Sequence, residues 1–191
     1  GYGSPYSLDG GPTTKGCPVF PFYLSLLFRL FGIYSQGAAA ALLVTDSLLL
    51  VLCALFAYVL GKHFFGHAVG LTAAILLAVD PSAIWYSTNC TWDCAFAAFA
   101  MVSLLVVFVW LKARPTWRRG AVAGLLIGIA AHVRVLALPV AAAAGIWMVC
   151  RSKGRRLQAL KSLAIAVATC TLTVTPWSVR NSLVEGNLVI V

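Results

Sequence analysis

Outside its short basic clusters this chain carries few charges, and they stand where chemistry is possible. Asp80 and Asp93 bracket a polar loop, Ser87-Thr88-Asn89-Cys90-Thr91-Trp92-Asp93. Acids at a helix end beside an aromatic-rich loop can bind a metal, orient a sugar or act as a general base. The same residues can also cap: Asp80 a turn with Pro81, and Asp93 the helix that opens at Cys94. Arg134 interrupts an apolar stretch at His132-Val133-Arg134. A guanidinium there can take a phosphate or diphosphate through bidentate contacts, or can snorkel to lipid headgroups. Trp177, Arg180 and Asn181 form a polar exit from the last apolar run, a combination that also anchors ordinary membrane boundaries.

Other polar residues read more simply. Asp46 lies within an apolar run, where an ionised carboxylate costs on the order of 3 kcal/mol. It is expected to face protein interior or a wet cavity, with Thr45 and Ser47 offering local hydrogen bonds. His63 and His67 are four apart but have no third ligand, so no metal site is expected. Cys90 and Cys94 share one loop and can pair where that face is oxidising. Asn89-Cys90-Thr91 matches a glycosylation sequon.

These side chains are positioned by strongly apolar elements. Of 191 residues, 61% are hydrophobic and 10% charged, against about 25% charged in a typical soluble domain. Lipid is the solvent that accommodates such a chain. The formal charge of +9 would suggest nucleic acid in a soluble protein, but the cations sit in short clusters between apolar runs, so nucleic acid is excluded as a partner. The expected fold is all-α: a polytopic transmembrane bundle of about five to six membrane helices plus a juxtamembrane interfacial helix.

Phe22 to Phe31 is too short for the roughly 30 Å hydrocarbon core and suits an interfacial helix. Spans are expected at Ala38 to Leu60, at His67 to Val79 continuing through Tyr86, and at Cys94 to Leu111. Ala121 to Ala131 and Val135 to Cys150 form a short pair meeting at His132-Arg134. The last span runs from Ser162 to Val174, closed by Thr175-Pro176-Trp177. The whole chain, 1–191, reads as one transmembrane domain fragment. Residues 1–36 are an extracytoplasmic loop and juxtamembrane helix, 37–177 the transmembrane helices, and 178–191 an extracytoplasmic segment. With Lys62, Lys112 to Arg119 and Arg151 to Lys161 inside, ten of the fourteen Lys/Arg are cytoplasmic, leaving Lys15, Arg29, Arg134 and Arg180. Asp9, Asp80, Asp93 and Glu185 then fall outside, as one topology requires.

Five stretches in order resemble the lipid-linked-sugar glycosyltransferases of the membrane GT-C class, nearest the bacterial family-39 and ArnT-like enzymes related to protein O-mannosyltransferases. They are Gly11-Pro12-Thr13-Thr14 leading to Pro18-Val19-Phe20-Pro21 and Leu30-Phe31-Gly32; Phe64-Phe65-Gly66 followed by Asp80 to Tyr86; Trp92-Asp93; His132-Val133-Arg134; and Pro176 to Asn181. The resemblance implies transfer of a sugar from a polyprenyl-phosphate donor to a lipid, glycan or protein acceptor. The reaction would be inverting, on the extracytoplasmic face of a multi-pass protein of the bacterial inner membrane, with no tightly bound cofactor. An acid would act as base on the acceptor, and Arg/Lys would hold the lipid phosphate. Asp93 is the candidate sugar-site acid; Arg134, Arg180, Asn181, Trp92, Tyr86 and Lys15 are the candidate substrate-binding residues.

Two departures bear on this. The family's principal acid follows a first transmembrane helix upstream of the Gly-Pro-Thr loop, so the stretch beginning at Gly1 is expected to be inactive alone. Many relatives with an aminoarabinose-type loop place a Lys immediately before the Pro-rich turn, where this chain has Cys17, with Lys15 two residues earlier. A secondary transporter and a non-catalytic membrane assembly protein are the alternative readings.

Overall fold

The structure, a computed structural model, describes residues 16–89 and 93–186, and every regular element among them is an α-helix. α1 (Val19–Phe31) ends at Gly32, whose positive φ of 91° a side chain would strain. α2 (Gln36–Phe65) opens with the Ser35 hydroxyl accepting from the Ala38 amide at 3.1 Å. Its last turn carries Lys62 and His63, which suit the negative end of the helix dipole. At 30 residues it is about 45 Å long, longer than the apolar core of a membrane.

α3 (His67–Ala78) and α4 (Pro81–Asn89) are one apolar run bent by 48°. The Asp80 carboxylate accepts from the Ala83 amide at 2.8 Å and restarts the helix, while Pro81 brings no N–H of its own. The capping reading of Asp80 is thus borne out, and the apolar run expected through Tyr86 is present as a bent pair rather than one continuous helix. α5 (Cys94–Ala113) follows, then α6 (Trp117–Val133), α7 (Ala137–Arg151) and α8 (Arg156–Glu185). By length and composition three helices, α2, α5 and α8, can cross a membrane, or four with the bent pair counted as one. The chain is a helical membrane bundle.

The last helix corrects one expectation. It does not close at Thr175-Pro176-Trp177 but continues through Pro176 to Glu185. Proline removes one donor, to the Leu172 carbonyl, and in a bundle neighbouring side chains re-satisfy the loosened turn. Here His132 Nε2 lies 3.2 Å from the Thr173 carbonyl, one residue along.

Small residues set the packing. Gly120, Gly124 and Gly128 present one stripe of α6 to α8. A Cβ would lie 2.4 Å from the Ser162 carbonyl at Gly120, 2.2 Å from that of Ala166 at Gly124, and 2.6 Å from the Thr173 side chain at Gly128. Such stripes let backbones approach in lipid, where no hydrophobic force drives helices together. The rising order of both partners makes α6 and α8 parallel. Large apolar side chains point the other way, Leu172 at 73% and Ile146 at 66% exposed, as lipid-facing residues do.

The clustered cations gather at one end. Lys112 Nζ lies 4.6 Å from the Trp147 ring centre, Arg119 stands 4.6 Å over Trp110, and Lys62 lies 5.6 Å from Tyr58. Phe64 meets Trp147 edge-on at 5.7 Å, joining the C-terminal ends of α2, α5 and α7. Asp93 and Arg134 stand at the opposite end of α5 and α6.

Candidate functional site

The end of the bundle away from the basic clusters is built where chain breaks leave polar groups exposed. α6 stops at Val133 because Arg134 turns extended (φ −150°, ψ 126°), its amide still donating to the Ala130 carbonyl. The next amides, of Ala137 and Leu138, bond back to Arg134 and Val135. This tight turn holds the Arg134 side chain outward at the tip of the α6–α7 hairpin.

Across from it, Asp93 precedes α5. Its side chain makes no capping bond to that helix. Instead Oδ1 accepts from Arg134 Nη2 at 2.9 Å. The structure therefore puts the Asp93 carboxylate on the arginine and leaves the cap reading unfulfilled. The pair is 48% exposed at Arg134 and 23% at Asp93, so solvent or a ligand reaches the guanidinium while the carboxylate is partly shielded.

Cys17 joins this pair. Its thiol donates to the Ala131 carbonyl at 3.7 Å, the last turn before Arg134. Burial pushes the thiol above its ordinary range and the Asp93 charge adds to that; a backbone hydrogen bond at Val135 and the Arg134 charge pull the other way. Cys17, just before the Pro18 turn, thus sits beside the ion pair. Its place just before the Pro18 turn was the available signal, but nothing in the residue type pointed to this neighbourhood.

Arg180 and Asn181 form a second polar group on α8. Arg180 Nη1 donates to Asn181 Oδ1 at 2.9 Å and its guanidinium lies 4.9 Å from the Trp177 ring centre. Asn181 is wholly buried, and its Nδ2 finds no partner among the described residues. The start of α1 lies between the two groups. Phe22 packs edge-on to Trp177 at 6.2 Å, Cys17 reaches Ala131, and Phe20 packs edge-on to Phe96 at 5.7 Å. His132, two residues before Arg134, reaches Thr173 on α8, one turn before Trp177. His132 was read only as part of the break; its bond across 41 residues leaves no trace in local sequence.

The remaining candidates scatter. Tyr86 is exposed on α4, its ring edge-on to Trp85 at 5.3 Å. Lys15 and Trp92 lie outside the described residues, as does Cys90 and with it any pairing to Cys94. The Asn89 side-chain amide donates to Thr88 Oγ1 at 2.9 Å. Asp46 faces the interior as expected, with no exposed surface. Thr45 does not serve it: the Thr45 hydroxyl bonds the Ala41 carbonyl and accepts from Tyr23 OH. Neighbours one apart on a helix do not face each other. Both Asp46 oxygens lack a hydrogen-bond partner among the described residues. His67 Nδ1 lies 3.0 Å from Tyr58 OH, and no group of His, Cys, Asp and Glu suited to a metal ion is assembled among the described residues. Two apolar cavities are lined by neither Arg134 nor Asp93, and the half-exposed guanidinium places Arg134 at the surface of the bundle.

Comparison with curated proteins and with solved structures returns no match. A family model described as dolichyl-phosphate-mannose-protein mannosyltransferase matches residues 14–179. That stretch holds Cys17, Asp93, Arg134 and Trp177 and stops just short of Arg180 and Asn181. Covering most of the 191 residues, the match makes the chain a member of the dolichyl-phosphate-mannose-protein mannosyltransferase family, a family of membrane glycosyltransferases.

Proposed function

We propose that this chain moves a sugar from a polyprenyl-phosphate donor to a lipid, glycan or protein acceptor on the extracytoplasmic face, with Arg134 holding the donor phosphate. The reading rests on the Asp93–Arg134 pair, a half-exposed guanidinium fixed by one carboxylate oxygen at a break between helices. Its remaining donors have no hydrogen-bond partner among the described residues and can meet phosphate oxygens bidentately. Standing at the surface of the bundle, it is reached by a lipid headgroup without a tunnel.

The chemistry asks for two things. The departing polyprenyl phosphate accumulates negative charge as the glycosidic bond breaks, and a positioned cation stabilises that charge. The acceptor nucleophile must lose its proton to a base. Arg134 serves the first need, and Arg180, resting on Trp177 beside α1, adds a second cation for the phosphate. Asp93 orients Arg134 and borders the sugar. With the basic clusters on the cytoplasmic side, the opposite end faces outward, in the inner membrane of a bacterium.

The test is transfer of a radiolabelled polyprenyl-phosphate sugar by the full-length protein. Transfer that falls on changing Arg134→Ala is expected. Absence of transfer to any lipid or protein acceptor, together with no effect of Arg134→Ala on donor binding, overturns the reading.

A further inference from the structure

A groove of 490 Å³ opens between α2, α5 and α7 and runs toward the basic end of the bundle; neither Asp93 nor Arg134 lines it. Its α5 wall is Leu105, Phe108 and Val109, and its α7 wall includes Val140, Ala144 and Trp147. On α5 these positions form one helical stripe (i, i+3, i+4), and the next residue of that stripe is Lys112. On α7 the stripe continues from Trp147 to Arg151, one turn further on. Side chains three, four and seven apart share a face. Each apolar wall therefore has a cation one helical turn beyond its last lining residue, at the same end of the molecule. Lys112 Nζ already lies 4.6 Å from the Trp147 ring centre, which fixes it at the mouth, and Phe64 meets the same ring edge-on.

An apolar slot that ends in two cations at the membrane boundary has the charge pattern of one lipid: a hydrocarbon tail below, an anion above. We infer that this groove binds an anionic phospholipid from the leaflet at the basic end, one acyl chain lying between α5 and α7 and the phosphate held by Lys112 and Arg151. The two helices run parallel and both end here, so their dipoles present negative ends that the two cations offset. A neutral zwitterionic lipid fits the slot equally well but gains less from the cations, each worth on the order of a five-fold preference for an anionic headgroup. This site is independent of the transfer reaction, whose residues stand at the other end.

The experiment is quenching of tryptophan fluorescence in the purified full-length protein by brominated phosphatidylglycerol and, separately, brominated phosphatidylcholine in mixed micelles. Trp147→Phe identifies the Trp147 component. Brominated phosphatidylglycerol is expected to quench that component at a several-fold lower mole fraction than phosphatidylcholine. The double change Lys112→Gln with Arg151→Gln is expected to bring the two lipids level. Ala143→Phe, which fills the groove from an exposed lining position, is expected to weaken quenching by both while thermal unfolding stays unchanged. Equal quenching by both lipids in the unaltered protein overturns the inference. So does a Trp147 component that neither lipid reaches, which would mean that another segment or a second copy fills the groove.

Discussion

Asp93 Oδ1 and Arg134 Nη2 stand 2.9 Å apart across 41 residues of chain, tying the start of α5 to the break between α6 and α7. Exposed ion pairs contribute at most about 1 kcal/mol to stability. With this pair 48% and 23% exposed, its main consequence is to aim a guanidinium. Arg134→Ala is expected to leave thermal unfolding within about 1 kcal/mol and to lower sugar transfer by ~100-fold or more, the scale of losing one charge-stabilising donor. Arg134→Lys retains the charge without the bidentate fork and should fall between. Parallel transfer assays and melting curves in detergent separate the two effects; a large loss of stability with little change in transfer would make the pair structural.

The position of Cys17 beside this pair is open to a titration with opposite signs. Burial, the largest influence, raises the thiol's pKa, the Arg134 charge lowers it and the Asp93 charge raises it. In a protein whose sole cysteine is Cys17, the pH midpoint of maleimide labelling should lie above that of free cysteine. Arg134→Gln removes a lowering influence and should move the midpoint further alkaline. Asp93→Asn removes a raising influence and should move it back toward neutrality. Midpoints that move together, or not at all, would contradict this arrangement.

At Gly124 a Cβ would stand 2.2 Å from the Ala166 carbonyl, an atom of backbone that cannot rotate aside. Gly124→Ala should therefore force α6 and α8 apart and destabilise by about 1–3 kcal/mol. At Gly37 the nearest atom is the Phe31 side chain at 3.3 Å, which can shift, so Gly37→Ala should change little. Thermal unfolding of both variants in the same detergent makes the comparison.

Asp46 is wholly buried, and neither carboxylate oxygen has a partner among the described residues. A buried polar group without a hydrogen bond is destabilising by roughly 1–3 kcal/mol. Asp46→Leu should thus raise the melting temperature with transfer retained. A folded Asp46→Leu protein that transfers no sugar would instead give this acid a part in the reaction.

His132 spans from α6 to the Thr173 carbonyl of α8. Interhelical hydrogen bonds in membrane proteins average about 0.6 kcal/mol, so His132→Leu should lower stability by about that amount. His132→Gln, which keeps a donor of similar reach, should restore most of it. Identical melting curves for the two variants would show that the bond contributes nothing.

The elements were legible wherever one residue's neighbours in sequence decide its state. α2 and α5 follow from apolar runs ended by Lys62 and Lys112, and the break after Val133 follows from His132 and Arg134 interrupting an apolar stretch. Asp80 capping α4 follows from its place before Pro81. The expected end at Pro176 did not hold, because a proline's effect on a helix depends on whether the surroundings re-satisfy the turn it loosens. Those surroundings include His132 on α6, more than forty residues away, which reaches the neighbouring Thr173 carbonyl.

By itself the sequence determined the solvent, the helices and the segregation of charge, since hydropathy, capping and the distribution of Lys and Arg act along the chain. It also singled out Asp93 and Arg134 as charges set apart from the basic clusters. Only the tertiary structure decided that they pair, that Cys17 lies beside them, and that Lys112 rests on Trp147 at the edge of a groove. Each of those relations depends on how closely the helices approach, and at the α6–α8 seam that approach is set by glycines fitting against α8. The spacing of Gly120, Gly124 and Gly128 is plain in the sequence, but the partner surface that accepts them exists only once the chain has folded.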